Sequence, residues 1–231
     1  MTRVLITGAN RGIGLALVEA YCQDAEHIFA CCRTPSKAEA LKALAAKYPS
    51  VVHIHTLDVT DPGSIASLRT ALAEEPIDIL INNAGVDGGP RQAINVIDYT
   101  QFTPTFAVNT LGPLRMAQAF RPNLMSGREK KLITISSDLG SITNNTGSVF
   151  MIYRASKAAV NQIMKGLAHD FAKDGLICVV LSPGRVKTDM GGPNAPLTPR
   201  ESALGLKKVI HTLTPDQSGS FLDYRGERVP W

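Results

Sequence analysis

Short apolar runs alternate with amphipathic stretches along most of the chain. Val4, Leu5 and Ile6 make a run too short for a helix; it ends at glycines and is followed by Leu15, Ala16, Leu17 and Val18, which reads as strand, tight turn and helix. The same reading predicts strands over 27–32, 51–57, 77–81, 132–136 and 177–181, with a last one near 220–222. It predicts helices over 36–47, 61–74, 102–116, near 118–124 and over 153–173. Strands alternating with helices imply a parallel sheet covered on both faces, so the expected fold class is α/β with a doubly wound sheet. No repeat, low-complexity tract or linker interrupts the pattern, and one domain over 1–231 is expected. The Pro- and Gly-rich stretch 184–199 reads as a lid.

Composition narrows the class. The chain has 231 residues, 44% hydrophobic and 19% charged, enough to bury one substantial core. Its net charge of +4 is scattered, and the densest basic run, Arg128-Glu129-Lys130-Lys131, falls between a predicted helix and a strand, so nucleic acid binding has little support. No stretch reaches the roughly 18 apolar residues of a membrane span, and no cleavable apolar leader precedes the first strand. The expectations are no membrane association and a cytoplasmic location. Cys22, Cys31, Cys32 and Cys178 lack CxxC spacing and read as buried thiols. The histidines form no cluster with them, so no metal is expected.

Ligands of open parallel sheets bind beyond the carboxyl ends of the strands, and the turns at those ends are polar here. The first turn is Thr7-Gly8-Ala9-Asn10-Arg11-Gly12-Ile13-Gly14. Its glycines, spaced Gly-x-x-x-Gly-x-Gly, let the backbone approach a pyrophosphate that would meet the unpaired amides and positive dipole end of the next helix. Gly8, Asn10, Arg11, Gly12, Ile13 and Gly14 are therefore candidate cofactor contacts, and the sheet is of Rossmann type. Later strand ends carry Asp58-Val59, Asn83-Ala84-Gly85 after Asn82, Ser136-Ser137 and Pro183-Gly184, with Val186 and Thr188 just beyond. The Asp58 carboxylate suits an adenine amino group. After the second strand there is no acid to bind free ribose hydroxyls; Arg33 stands there instead, and Arg11 can clamp a 2′-phosphate from the other side. NADP(H) is favoured, with NAD(H) still admitted.

Tyr153 and Lys157 are spaced i, i+4 and share one helical face. Reduction of a carbonyl by hydride requires a proton donor for the emerging alkoxide. A free phenol has a pKa of about 10, and a nearby ammonium is expected to lower it. TGANRGIG, DVT, NNAG, Asn109, the serine, YRASK and PGRVKTDM together resemble the short-chain dehydrogenase/reductases over essentially the whole chain. YRASKAAVNQ, PGRVKTDMGG and the ending Pro230-Trp231 look most like the C-factor and sniffer-like carbonyl reductase branch.

The resemblance implies a catalytic set of Ser137, Tyr153, Lys157 and Asn109. Tyr153 is the acid; Lys157 also holds the nicotinamide ribose; Ser137 bonds the substrate oxygen; Asn109 holds a water linking Lys157 to solvent. The Ser137–Tyr153 segment is longer than in many relatives, which leaves Ser136 as an alternative to Ser137. The expected activity is NADPH-dependent reduction of a small ketone or aldehyde, with the alcohol as the reverse substrate. The alternative is a C-factor-like signalling or regulatory protein that binds NAD(P) with little turnover. The substrate pocket is expected from 86–97, 139–152 and 190–197. A homodimer is expected through the helices over 102–124 and 153–173, with Ala158, Ala159, Ile163, Met164 and Leu167 as apolar contacts.

Overall fold

A computed structural model describes residues 2–231. Among them, seven strands form one parallel sheet in the order β3-β2-β1-β4-β5-β6-β7. The strands are β1 (Thr2–Thr7), β2 (Ala25–Cys32), β3 (Val52–Thr56), β4 (Ile79–Asn82), β5 (Lys131–Ile135), β6 (Ile177–Ser182) and β7 (Phe221–Asp223). The order reverses between β1 and β4, so their carboxyl ends open a crevice, as expected for a doubly wound Rossmann-type sheet.

Strand side chains alternate between two cores, which is why both faces are covered. Val4, Ile6, Ile28, Ala30, Ile79 and Ile81 pack with α1 (Gly12–Tyr21), α2 (Glu39–Lys47) and the helix Pro199–Thr212. Leu5, Phe29, Leu80 and Leu132 pack with α3 (Pro62–Ala71), and with the helices Gly112–Ser126 and Met151–Asp170. Cys31 falls in one core and its neighbour Cys32 in the other, and all four cysteines are buried free thiols. At the amino ends of the strands, the Asp78 carboxylate accepts from the backbone N–H groups of Arg3 (2.8 Å) and Arg128 (2.6 Å).

Two elements differ from the sequence reading. The stretch 102–126 is one continuous helical run: α4 (Phe102–Phe106), a π-helical turn (Ala107–Leu111) and α5 (Gly112–Ser126). In a regular helix the Pro113 ring would collide with the carbonyl of Asn109 four residues back, and widening the turn relieves that contact. After α6 (Met151–Asp170), the helix α7 (Pro199–Thr212) was missed by the periodicity reading. Its signals are in the sequence: a Thr198/Glu201 capping box, Pro199 at the first turn, and apolar Ala203, Leu206, Val209 and Ile210.

On β2 and β3, His27 Nδ1 lies 2.9 Å from His53 Nε2, and His55 follows on the same strand. Burial first, and the charge of His27 second, hold His53 below the usual imidazole range; burial does the same to His55. The unfolded chain therefore binds protons that the folded chain resists, so stability is full above about pH 6.5 and is lost as pH falls below it. The urea midpoint should drop between about pH 7.5 and about pH 5.5, and drop less in His53→Gln. An equal drop in both proteins would refute this assignment.

Candidate active site

The crevice is organised by β1 and β4. Thr7, at the end of β1, accepts through its hydroxyl from the N–H groups of Asn83 and Ala84, each at 3.0 Å. Asn83 returns the contact, its Nδ2 donating to the carbonyls of Thr7 (2.9 Å) and Gly8 (3.1 Å). The two turns are thus locked together, and the glycine loop is shaped by what surrounds it. Gly8 has φ +66°, and a Cβ there would lie 2.9 Å from Ala84 Cα; a Cβ on Gly14 would lie 2.2 Å from the Gly8 carbonyl oxygen. Helix α1 begins at Gly12 with no side-chain cap and no acid in its first turn, so its amide groups and positive dipole end face the crevice without an intrinsic anion. Such an N-terminus, wrapped by a loop with no room for side chains, fits a dinucleotide pyrophosphate.

Arg33 stands exposed just beyond β2. The Asp58 carboxylate accepts from the Thr60 hydroxyl (2.7 Å) and N–H (2.8 Å). Those bonds, the hydroxyl first, and the nearby Arg33 guanidinium hold it below the usual carboxylate range. Val59 is buried against α5, its Cγ2 3.0 Å from where a Cβ on Gly112 would lie. Ile13 is half-buried, and Asn10 and Arg11 are exposed on the loop. Arg11 reaches across the crevice to Asp189, Nη1 to Oδ2 2.5 Å.

Asp189 belongs to the stretch after β6, which lies over the glycine loop. Val186 and Leu197 bridge, Lys187 N–H donates to the Leu197 carbonyl (2.8 Å), and Thr188 Cγ2 lies 3.3 Å from a Cβ built on Gly12. Helix α7 holds its start, with Ser202 Oγ donating to the Pro183 carbonyl at 2.7 Å beside Gly184.

Four catalytic candidates gather at the ends of β4 and β5. Tyr153 and Lys157 lie on α6, with Lys157 Nζ 5.7 Å from the Tyr153 ring centroid. Nζ donates to the Ile135 carbonyl (2.9 Å), and the residue is 4% exposed. The Ser137 hydroxyl stands near enough to the Tyr153 phenol to act against the rise of its pKa, and it accepts from Leu139 N–H (3.2 Å). The neighbouring Ser136 hydroxyl is buried and donates to Asn161 Oδ1 at 2.7 Å. Asn109 sits in the π-helical turn, donating through Nδ2 to the Val86 carbonyl (2.8 Å) and Ser156 Oγ (3.0 Å) and accepting from Val86 N–H (2.9 Å). A Cβ on Gly85 would lie 3.4 Å from Asn109 Oδ1 and 3.7 Å from Lys157 Nζ, which places both groups around that glycine.

Burial pushes the Tyr153 phenol up to about 12, against the lowering that a nearby ammonium favours, with the Ser137 side chain opposing the rise and Asp87 reinforcing it. Burial likewise pushes Lys157 down to about 8. At neutral pH the phenol holds its proton, the state an acid needs.

A cavity of about 490 Å³ is lined by Leu139, Ser141, Ile142, Met151, Arg154 and Ala155 among others, and by nothing from 86–97 or 190–197. It lies along a flank of α6 that presents neither Tyr153 nor Lys157. Of the residues expected at a subunit contact, Met164 and Leu167 are buried in the core, leaving Ala158, Ala159 and Ile163 half-buried. The sequence reading gave no individual role to Thr7, Gln92, Asp189 or Ser202, although the first three lie in stretches it singled out; the Thr198 capping box points towards the last.

A strand-order reversal, a glycine cradle and a Tyr/Lys/Ser cluster at neighbouring strand ends define a dinucleotide-binding oxidoreductase site. The short chain dehydrogenase family model matches residues 2–196, and the chain belongs to that family. It is 42% identical to C-signal of Myxococcus xanthus over 165 residues, covering 71% of this chain and 99% of that protein. Carbonyl reductase Sniffer of D. melanogaster is 34% identical with TM-score 0.91, covering 100% of both chains. The NADPH-bound carbonyl reductase from chicken fatty liver is 36% identical with TM-score 0.92, covering 100% of this chain and 99% of that one.

Gly14→Ala forces a methyl against the Gly8 carbonyl and should lower Tm by about 4–8 °C, the effect of about 2 kcal/mol in a chain of this size. Gly166→Ala on α6 meets nothing within 4 Å and should raise Tm by about 1–4 °C. Thermal unfolding that ranks the two variants the other way would contradict the packing described.

Proposed function

We propose that the chain is an NADPH-dependent carbonyl reductase. The observation that carries this reading is the gathering of the Tyr153 phenol, the buried Lys157 side chain and the Ser137 hydroxyl beside a glycine cradle. The bound cofactor supplies hydride to the carbonyl carbon. Ser137 holds the carbonyl oxygen, and Tyr153 Oη gives its proton to the oxygen as negative charge develops there. The Lys157 ammonium then stabilises the phenolate and holds the ribose hydroxyls, while Asn109 fixes Val86 and Ser156 around it and supports proton return from solvent.

Tyr153 serves as the acid in reduction and, by reversal of the same step, as the base in oxidation of the alcohol. Arg33 and Arg11 supply the cations for a 2′-phosphate, and Arg11 would exchange Asp189 for it; an exposed ion pair contributes only about 0–1 kcal/mol, so the exchange is easy. Gly8, Asn10, Gly12, Ile13 and Gly14 would enclose the pyrophosphate. Asp58 and Val59 would take the adenine, and Asn83, Ala84, Gly85, Pro183, Gly184, Val186 and Thr188 would line the nicotinamide end. The NADPH of the chicken enzyme agrees with this choice.

The second reading, a signalling protein with little turnover, draws on the identity to C-signal. NADPH consumption with para-nitrobenzaldehyde and menadione separates the two. Tyr153→Phe should lose at least about a hundredfold in kcat, and Arg33→Ala should weaken NADPH but not NADH binding about tenfold or more. The wild-type kcat should fall above about pH 8, as Lys157 gives up the proton that makes it a cation. Full activity in Tyr153→Phe would refute the mechanism, and no turnover by the wild type would leave the signalling reading. A homodimer through α5 and α6 belongs to the proposal; light scattering should give twice the chain mass, and a single-chain mass would refute it.

A further inference from the structure

We propose that Gln92 is a positioning residue that ties the segment after β4 to the first turn of α6 and so sets where the Tyr153 hydroxyl stands. The inference rests on the reading of Tyr153 as the acid. Helix α6 starts abruptly: Phe150 before it is left-handed at φ 61°, an uncommon conformation for a bulky residue, and no side chain from its own N-cap serves the first turn. The first intrahelical N–H is that of Arg154, donating to the Phe150 carbonyl at 2.8 Å. The amides before it need partners from elsewhere. Gln92 serves two of them from a site 61 residues from Tyr153 in sequence, its Oε1 accepting from Tyr153 N–H at 2.9 Å and its own carbonyl from Met151 N–H at 3.4 Å.

The other end of the same amide faces the segment after β4. Gln92 Nε2 donates to the carbonyls of Asp87 and Gly89, each at 2.7 Å. Oxygen meets an N–H and nitrogen meets two carbonyls, so the amide orientation is settled by its partners. The side chain is only 3% exposed, and the segment closes on itself beyond it through Asp98 N–H to the Arg91 carbonyl (2.9 Å) and the Arg91–Asp98 ion pair (2.9 Å). A buried amide with its three hydrogen bonds made fixes two backbones relative to each other. One carries the acid. The other carries Val86, bonded to Asn109, and Asp87, whose charge acts on the Tyr153 phenol. Gln92 touches no reacting atom; it acts through the axial position of Tyr153 and the distance of Asp87 from it.

The variants are Gln92→Leu, of similar shape without polar atoms, and Gln92→Glu, which keeps the acceptor and regains a donor when protonated. With NADPH and para-nitrobenzaldehyde, Gln92→Leu should lose about tenfold or more in kcat while its NADPH dissociation constant stays within about twofold, since a small misplacement of a reacting group is enough. Gln92→Glu should approach wild-type kcat as pH falls, and Gln92→Leu should not. Hydrogen exchange at the Tyr153 amide should be about tenfold faster in Gln92→Leu. If Gln92→Leu does not fold, the pH-dependent recovery of Gln92→Glu decides the question. Wild-type kcat with an unshifted pH profile in both variants, or unchanged Tyr153 exchange, would overturn the proposal. If the wild-type protein reduces no carbonyl, the reductase reading fails separately; accelerated exchange at Tyr153 would still support the Gln92 tie, and unchanged exchange would overturn it.

Discussion

The hydrogen bonds between Thr7 and Asn83 hold together two turns that come from strands far apart in the chain. The Thr7 hydroxyl takes both N–H groups of the Asn83-Ala84 turn, and Asn83 Nδ2 takes the carbonyls of Thr7 and Gly8. With those contacts made, the Gly8 carbonyl leaves no room for a side chain at position 14, and the start of α1 is presented to the crevice. The same turn leads directly to Gly85, around which Lys157 and Asn109 are arranged. The phosphate end and the chemical end of the site therefore share one anchor. This explains why Asn83 is buried in hydrogen bonds to protein and is unlike an ordinary surface turn residue.

A second constraint is burial of charge. Lys157 is taken out of water with one carbonyl partner, which costs the ammonium and lowers its pKa; Tyr153 stands half-buried beside it, which costs the phenolate and raises its own. The two shifts run towards neutral forms of both groups. The Ser137 side chain opposes this for the phenol, and negative charge near the ammonium would oppose it for Lys157. The site is in this sense tuned by solvent exclusion first and by pairwise charge second.

Much of this was legible in the sequence because it is local. The apolar runs of β1, β2 and β4, the glycines of the first turn and the i, i+4 spacing of Tyr153 and Lys157 each declare themselves within a few residues. Helix α7 was legible too, in its capping box, but the Pro- and Gly-rich stretch before it masked the change of period. What was not legible depends on contacts between distant segments. Nothing near Gln92 says that its amide will meet Tyr153, nothing near Arg11 names Asp189, and nothing near Ser136 says that its hydroxyl will meet Asn161. Spacing likewise shows that a lysine stands near Tyr153, but not that burial acts on both groups.

The central claim is that hydride passes within this crevice to a carbonyl carbon. It is tested most directly by incubating the protein with a simple aldehyde and NADPH carrying deuterium at the transferable nicotinamide position, then locating the label by mass spectrometry. The account predicts one deuterium on the carbinol carbon of the alcohol product. NADPH consumed without label in the alcohol, or bound without any alcohol formed, would contradict it.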